Sequence, residues 1–214
     1  MADYYTVKQG DHLPKIAKDH GFPDYTVIWD HPNNADLKKQ RQNPNVLLPG
    51  DQVFIPDKEE KQESGGTDKR HTFAVDRKTL KLVLVLEDML EKPIAGAQCD
   101  VSVDGDVQKL TTDKQGKLER DIPNTAEDGV LVIHGDQTPL ADFPVYLKIG
   151  HLDPVTELSG QVARLNNLGY FPGDGTNEDE FQSAVEEFQC DYGLKIDGDC
   201  GTHTQTKLEK VYGC

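Results

Sequence analysis

Asp197-Gly198-Asp199-Cys200-Gly201-Thr202-His203-Thr204, near the end of a 214-residue chain, is the stretch that decides the fold. Its two glycines permit a tight turn, and the threonine behind them can cap a helix. The spacing predicts a helix starting at Thr202 or Thr204, holding Leu208 and Val211, and ending at Gly213. Before it, Phe181, Ala184, Val185 and Phe188 recur at steps of three and four, one apolar stripe of a second helix. Earlier still, Val155, Leu158, Val162, Leu165 and Leu168 line a third stripe that stops at Gly169-Tyr170. Residues 151–214 therefore read as a small three-helix module.

The words Leu165-x-x-Leu168-Gly169-Tyr170, Ala184-Val185-x-x-Phe188-Gln189, Gly193-Leu194 and Asp197-Gly198-x-x-Gly201-x-x-Thr204 resemble the peptidoglycan-binding-like three-helix domain over residues 155–213. The resemblance implies a wall-binding surface. Sugar recognition pairs an aromatic face with hydrogen-bonding side chains, which directs attention to Tyr170, Phe171, Tyr192, Asp197 and Thr204. The competing reading of Tyr170 and Tyr192 is that they pack the helical core.

Moving outward, residues 71–150 change period. Leu80 to Leu86 is a near-continuous apolar strand, and Gln98 to Val103 alternates so that Cys99, Val101 and Val103 share one face. Asp104-Gly105 signals a hairpin. Further strands are expected at Val107–Thr111, Leu118–Ile122, Val130–His134 and Val145–Ile149. This spacing suits a small antiparallel β-sandwich. The run Pro93-Ile94-Ala95-Gly96-Ala97, with Leu110-Thr111-Thr112-Asp113 and Gly116 after it, resembles transthyretin-like or immunoglobulin-like modules. Residues 58–70 offer almost nothing to bury and read as a solvated linker.

At the other end, Tyr5-Thr6-Val7 forms a short strand that stops at Gly10, and Asp11 stands as a helix N-cap. Leu13, Ile16 and Ala17 make one apolar helix face ending near Gly21, and a second helix follows Pro23-Asp24. Ala35 to Gln42 reads as an additional polar stretch. Pro49-Gly50 turns into the strand Gln52 to Ile55. Tyr5 to Asp11, Leu13, Ile16-Ala17, Leu48 to Gln52 and Ile55-Pro56 together resemble a LysM module over residues 1–57. That resemblance implies a βααβ fold and a groove for N-acetylglucosamine-containing glycan. The groove would be built from Gly10, Asp11, His12 and Leu13 on one side and Asn43, Pro44, Asn45, Val46 and Leu47 on the other. His12 and Pro14 depart from the family's usual residues there. The expected architecture is multidomain α+β.

Charge narrows the partners. Lys plus Arg is 23 against 38 Asp plus Glu, a formal charge of −15, which repels phosphate backbones and anionic lipid. The surplus is densest at 151–214, with 12 acids against 4 bases. No apolar run approaches the roughly 20 residues of a membrane span, so neither nucleic acid nor membrane insertion is expected. Met1-Ala2-Asp3-Tyr4-Tyr5 has no basic or apolar leader region. The expectation is synthesis in the bacterial cytoplasm without a signal peptide, with delivery to the periplasm or envelope by a secretion machine.

Four cysteines are present, and Cys190, Cys200 and Cys214 are not at zinc spacing. Two readings stand for them, small thiols or a single disulfide, for which Cys190–Cys200 is preferred. Neither a metal nor a cofactor is implied. Hydrolysis of glycan needs two carboxylates held across a cleft, and peptidase chemistry needs a metal triad or a Cys–His pair. The acids at Glu178-Asp179-Glu180 and Glu186-Glu187 read instead as solvated helix faces. The function expected is a non-enzymatic peptidoglycan-binding adaptor. Its module order resembles accessory proteins of type VI secretion and related contractile-injection spikes, which implies a spike or effector protein as partner. The alternatives are a divergent peptidoglycan-degrading effector and a purely structural baseplate or tail component.

Overall fold

A computed structural model describes residues 3–58, 68, 70, 78–88, 90, 92–135 and 142–214. The expected linker at 58–70 lies almost wholly outside these residues, as does the start of the middle module at His71. The fold mixes helices with antiparallel sheets. By contacts the chain divides into two compact units. One comprises Pro14–Asp24 and Pro56–Gly150; the other comprises the segment ending at Leu13, Tyr25–Ile55 and His151–Cys214.

The N-terminal elements run β1 (Asp3–Thr6), α1 (Leu13–Asp19), α2 (Thr26–Trp29), a 3-10 turn (Pro32–Asn34), α3 (Ala35–Arg41) and β2 (Gln52–Ile55). β1 and β2 pair antiparallel, with Tyr4 opposite Phe54 and Tyr5 opposite Val53. Leu13, Ile16 and Ala17 are all buried, as the i, i+3, i+4 spacing requires. Helix α3 was not expected, because Leu37 is its one buried apolar residue. A polar side chain anchors its start instead. Buried Asn34 donates to the carbonyls of Ile28 and Phe54, each at 2.8 Å, and accepts from the Phe54 amide at 2.8 Å. It thereby satisfies the open side of β2, where bare backbone groups would carry a desolvation cost. At the far end of α3, Arg41 grips Asp51 with two bonds of 2.7 and 2.8 Å.

The middle residues form β3 (Thr79–Val85), β4 (Gln98–Val103), β5 (Asp106–Thr111), β6 (Lys117–Pro123), β7 (Asp128–His134) and β8 (Pro144–Lys148). β3 pairs with β6, and the other four strands lie in the order β5-β4-β7-β8, all neighbours antiparallel. Both sheets bury residues in one cluster that includes Cys99, Val101, Val103, Leu118, Ile122, Leu131 and Ile133. Alternation along β6 also sends Arg120 inward, where it is 5% exposed. Its guanidinium donates to the Val101 carbonyl at 2.6 Å and to the Asp106 carboxylate at 2.8 Å. A cation is thus tolerated in the cluster because its two terminal nitrogens meet oxygens at one edge, although its Nε is buried without a hydrogen-bond partner among the described residues.

The C-terminal helices are α4 (Leu158–Asn167), α5 (Glu178–Asp191) and α6 (Thr202–Tyr212). Val155, Leu165, Val185, Phe188, Cys200 and Leu208 form their buried cluster. Leu158 departs from the expected stripe and is half exposed, while Val155 packs from the loop before α4. The capping residues are also not all those expected. Gly201 takes the N-cap of α6, and Thr204 lies inside the helix with its hydroxyl turned to the core. Asn177 caps α5, its side-chain oxygen accepting from the Asp179 amide at 3.1 Å and, more weakly, from that of Glu180. Three acids in the first turn then sit at the positive end of the helix dipole.

Candidate functional site

Two regions were expected to bind ligand, and they differ in what they offer to solvent. In the N-terminal region the two loops do meet, for the Leu13 amide donates to the Pro44 carbonyl at 2.9 Å. The meeting is closed. Gly10, Asp11, His12 and Leu13 are buried, and so are Val46 and Leu47 across from them. Asp11 accepts from the Tyr5 hydroxyl at 2.7 Å and from the Lys8 amide at 2.9 Å, so its carboxylate holds the turn after β1. Gly10 has φ +84°, and a Cβ there would come within 2.5 Å of the His151 ring. Asn43 accepts from the Asn45 amide at 2.9 Å and borders a shallow depression shared with Thr206, Glu209 and Lys210. The expected groove residues are therefore brought together, but most are packed where a sugar could not reach them.

In the C-terminal domain, Asp197 and Thr204 belong to a structural network centred on Gln189, which is 1% exposed. Its carbonyl oxygen accepts from the amides of Asp197 and Gly198 at 2.9 and 3.0 Å. Its amide nitrogen lies 2.9 Å from the Asp197 carboxylate, 3.0 Å from the Asp199 carbonyl and 3.1 Å from the Thr204 hydroxyl. Those bonds pin the turn that the two glycines make possible. The Gln189 amide, with Lys195 and the Asp199 amide behind it, holds the Asp197 carboxyl below its ordinary range. Tyr192 packs on Phe188 with ring centroids 4.7 Å apart, and the Lys207 ammonium sits 4.8 Å from its ring centre.

All four cysteines are free thiols, so the preferred Cys190–Cys200 disulfide is not formed. Cys190 is exposed on α5, whereas Cys200 is buried in the helical cluster. Burial pushes the Cys200 thiol up to about 11, which leaves it protonated and inert at neutral pH. Among the described residues no group of three or more His, Cys, Asp or Glu side chains is gathered as a metal ion would need.

The open surface lies elsewhere on this domain. After α4 the chain turns through Gly169 at φ +91°, and Tyr170 packs edge-on against Phe188 with centroids 5.5 Å apart. The Tyr170 hydroxyl donates to the Asp191 carboxylate at 3.0 Å; burial, reinforced by that carboxylate, pushes the phenol well above its ordinary range. Phe171, at φ +47°, is 80% exposed. Helix spacing brings Asp179, Ser183 and Glu187 to one face of α5, with Glu180 and Ala184 alongside. These residues and the two aromatics wall an open depression of about 290 Å³. The Ser183 hydroxyl donates to the Asp179 carbonyl at 2.8 Å, and Glu180 accepts from the Asn177 side chain at 2.9 Å. Tyr170 and Phe171 are among the residues expected from the sequence, whereas Asp179, Glu180 and Glu187 have the pattern of a solvated helix face. The signal that would have joined them was the i, i+4, i+8 spacing of 179, 183 and 187.

Comparison with known proteins bears on this domain. Residues 162–208, from within α4 to within α6, match the family described as "Putative peptidoglycan binding domain". The match covers less than a quarter of the chain and includes the depression. No curated protein and no solved structure gives a significant match. The chain thus carries a peptidoglycan-binding domain, and the expectation for its C-terminal helices holds at that level. Among the described residues no helix is long and apolar enough to cross a membrane.

Proposed function

We propose that this protein is a non-enzymatic adaptor that docks on peptidoglycan through its C-terminal helices. The observation that carries this reading is the coincidence of the matched domain with an exposed, aromatic-walled depression. Open and shallow, the depression suits reversible binding to a polymer rather than enclosure of a reacting bond. The N-terminal residues that resemble a LysM groove act in this reading as internal packing, since Gly10 to Leu13 are buried. The order of modules, by its resemblance to spike accessory proteins, supports loading on a contractile-injection machine for delivery to the envelope.

Saturable pelleting of the full chain with insoluble peptidoglycan tests wall binding, and absence of pelleting would defeat it. Release of soluble muropeptides in the same mixture would replace the adaptor reading with a lytic one. Affinity capture from the native host that recovers no spike, sheath or effector protein would remove the secretion role and leave the wall-binding role standing.

A further inference from the structure

The carboxylates beside Phe171 point to a particular part of the wall polymer. Asp179, Glu180 and Glu187 line one depression whose remaining walls are Tyr170, Phe171, Ser183 and Ala184, with no lysine or arginine among them. The glycan strands of peptidoglycan are uncharged apart from acidic substituents, and the peptide stems carry carboxylates at their ends. A pocket with three acids repels those groups. One group in the polymer has the opposite sign: the free side-chain ammonium of a diamino acid in a stem that has not been cross-linked. An aminoalkyl chain also suits the other walls. Its methylenes can lie along the exposed Phe171 ring, and an ammonium is drawn to the face of an aromatic ring. The depression, about 290 Å³ and open to solvent, has room for such a chain.

We propose that this depression binds the free ammonium of uncross-linked peptide stems, so that the domain reads peptide rather than glycan. The proposal rests on the wall-binding reading and goes beyond it by naming the chemical group recognised.

The test compares pelleting of the full chain with two preparations of one peptidoglycan, untreated and N-acetylated with acetic anhydride to cap its amines. Acetylation is expected to weaken binding about tenfold. A double variant, Asp179→Asn with Glu187→Gln, is expected to weaken binding to untreated material about 3- to 20-fold, the yield of one or two exposed ion pairs. A charge-matched control removes the same two charges elsewhere on the domain: Glu186→Gln on α5, which accepts from Gln182, with Glu209→Gln on α6. It is expected to bind as the parent does. Circular dichroism melts of both variants show that each is folded. Equal binding to both preparations overturns the ammonium proposal while leaving wall binding intact. Equal losses in the double variant and the control likewise overturn it, because the effect is then general charge. Binding to neither preparation overturns both readings.

Discussion

Replacing Gln189 with leucine keeps the volume of a fully buried side chain and removes every polar contact it makes. The backbone amides of Asp197 and Gly198 lose their acceptor, and the Asp199 carbonyl and Thr204 hydroxyl lose a donor. The amide group has two hydrogens, so its three close oxygens share two bonds, one of them to the Asp197 carboxylate. Each neutral bond contributes about 1 kcal/mol net, and the charged one more. Asp197 lies at the surface, where water replaces part of what is lost. The expected destabilisation is about 2–4 kcal/mol, a fall in Tm of roughly 5–15 °C for a chain of this size. The same contact holds the Asp197 carboxyl low, so it stabilises the fold above the ordinary carboxylate range and is lost as pH falls through the lowered value. The variant should therefore lose less stability than the parent between neutral pH and pH about 3. Thermal melts at both pH values, with hydrogen exchange read at the Asp197 and Gly198 amides, measure this. A variant that melts within about 1 °C of the parent, with both amides equally protected, would refute the network as the source of the turn.

Gly10→Ala is expected to cost about 1–3 kcal/mol, because φ +84° is strained for alanine and the His151 ring stands where the new methyl would go; a denaturant titration measures it. Arg120→Ala should destabilise by about 2–4 kcal/mol through lost charge-assisted bonds and an unfilled space in the β-sheet cluster, read from the urea midpoint. His134 bonds Asp142 through Nδ1 and Asp100 through Nε2, and these bonds raise its pKa. The pairing contributes stability below the ordinary histidine range and loses it as pH rises through the raised value. An NMR titration is expected to show the elevated midpoint, and Asp142→Asn to lower it. Iodoacetamide at pH 8 should modify exposed Cys190 well before buried Cys200, as peptide mapping by mass spectrometry would show.

Much of this architecture was legible before any coordinates. Cys99, Val101 and Val103 alternate in sequence and face one cluster in space, and Ala184, Val185 and Phe188 share one buried helix face. Such patterns are visible because period two and period 3.6 are local properties of the chain. Helix α3 was not visible, since its anchor is Asn34 bonding to Phe54, twenty residues away. Thr204 illustrates the same limit. It has the composition of a cap and stands near the right turn, yet the hydroxyl is taken by Gln189. The acids of α5 do face solvent, as their sequence implies, and their spacing places Asp179 and Glu187 on one face; what the segment does not announce is the Phe171 ring beside them.

The sequence by itself determined most of the succession of elements, α3 excepted, most of the apolar faces, and the presence of a peptidoglycan-binding domain, because these rest on spacing and short words along the chain. Only the tertiary structure decided which polar residues are available to a ligand. Asp11 and Gln189 are consumed by backbone groups that the fold brings to them, while Phe171 and the three carboxylates of the α5 face stay open to solvent. A polar side chain has no fixed side of a periodic pattern; its role follows from whichever donor, acceptor or water the rest of the chain places within reach.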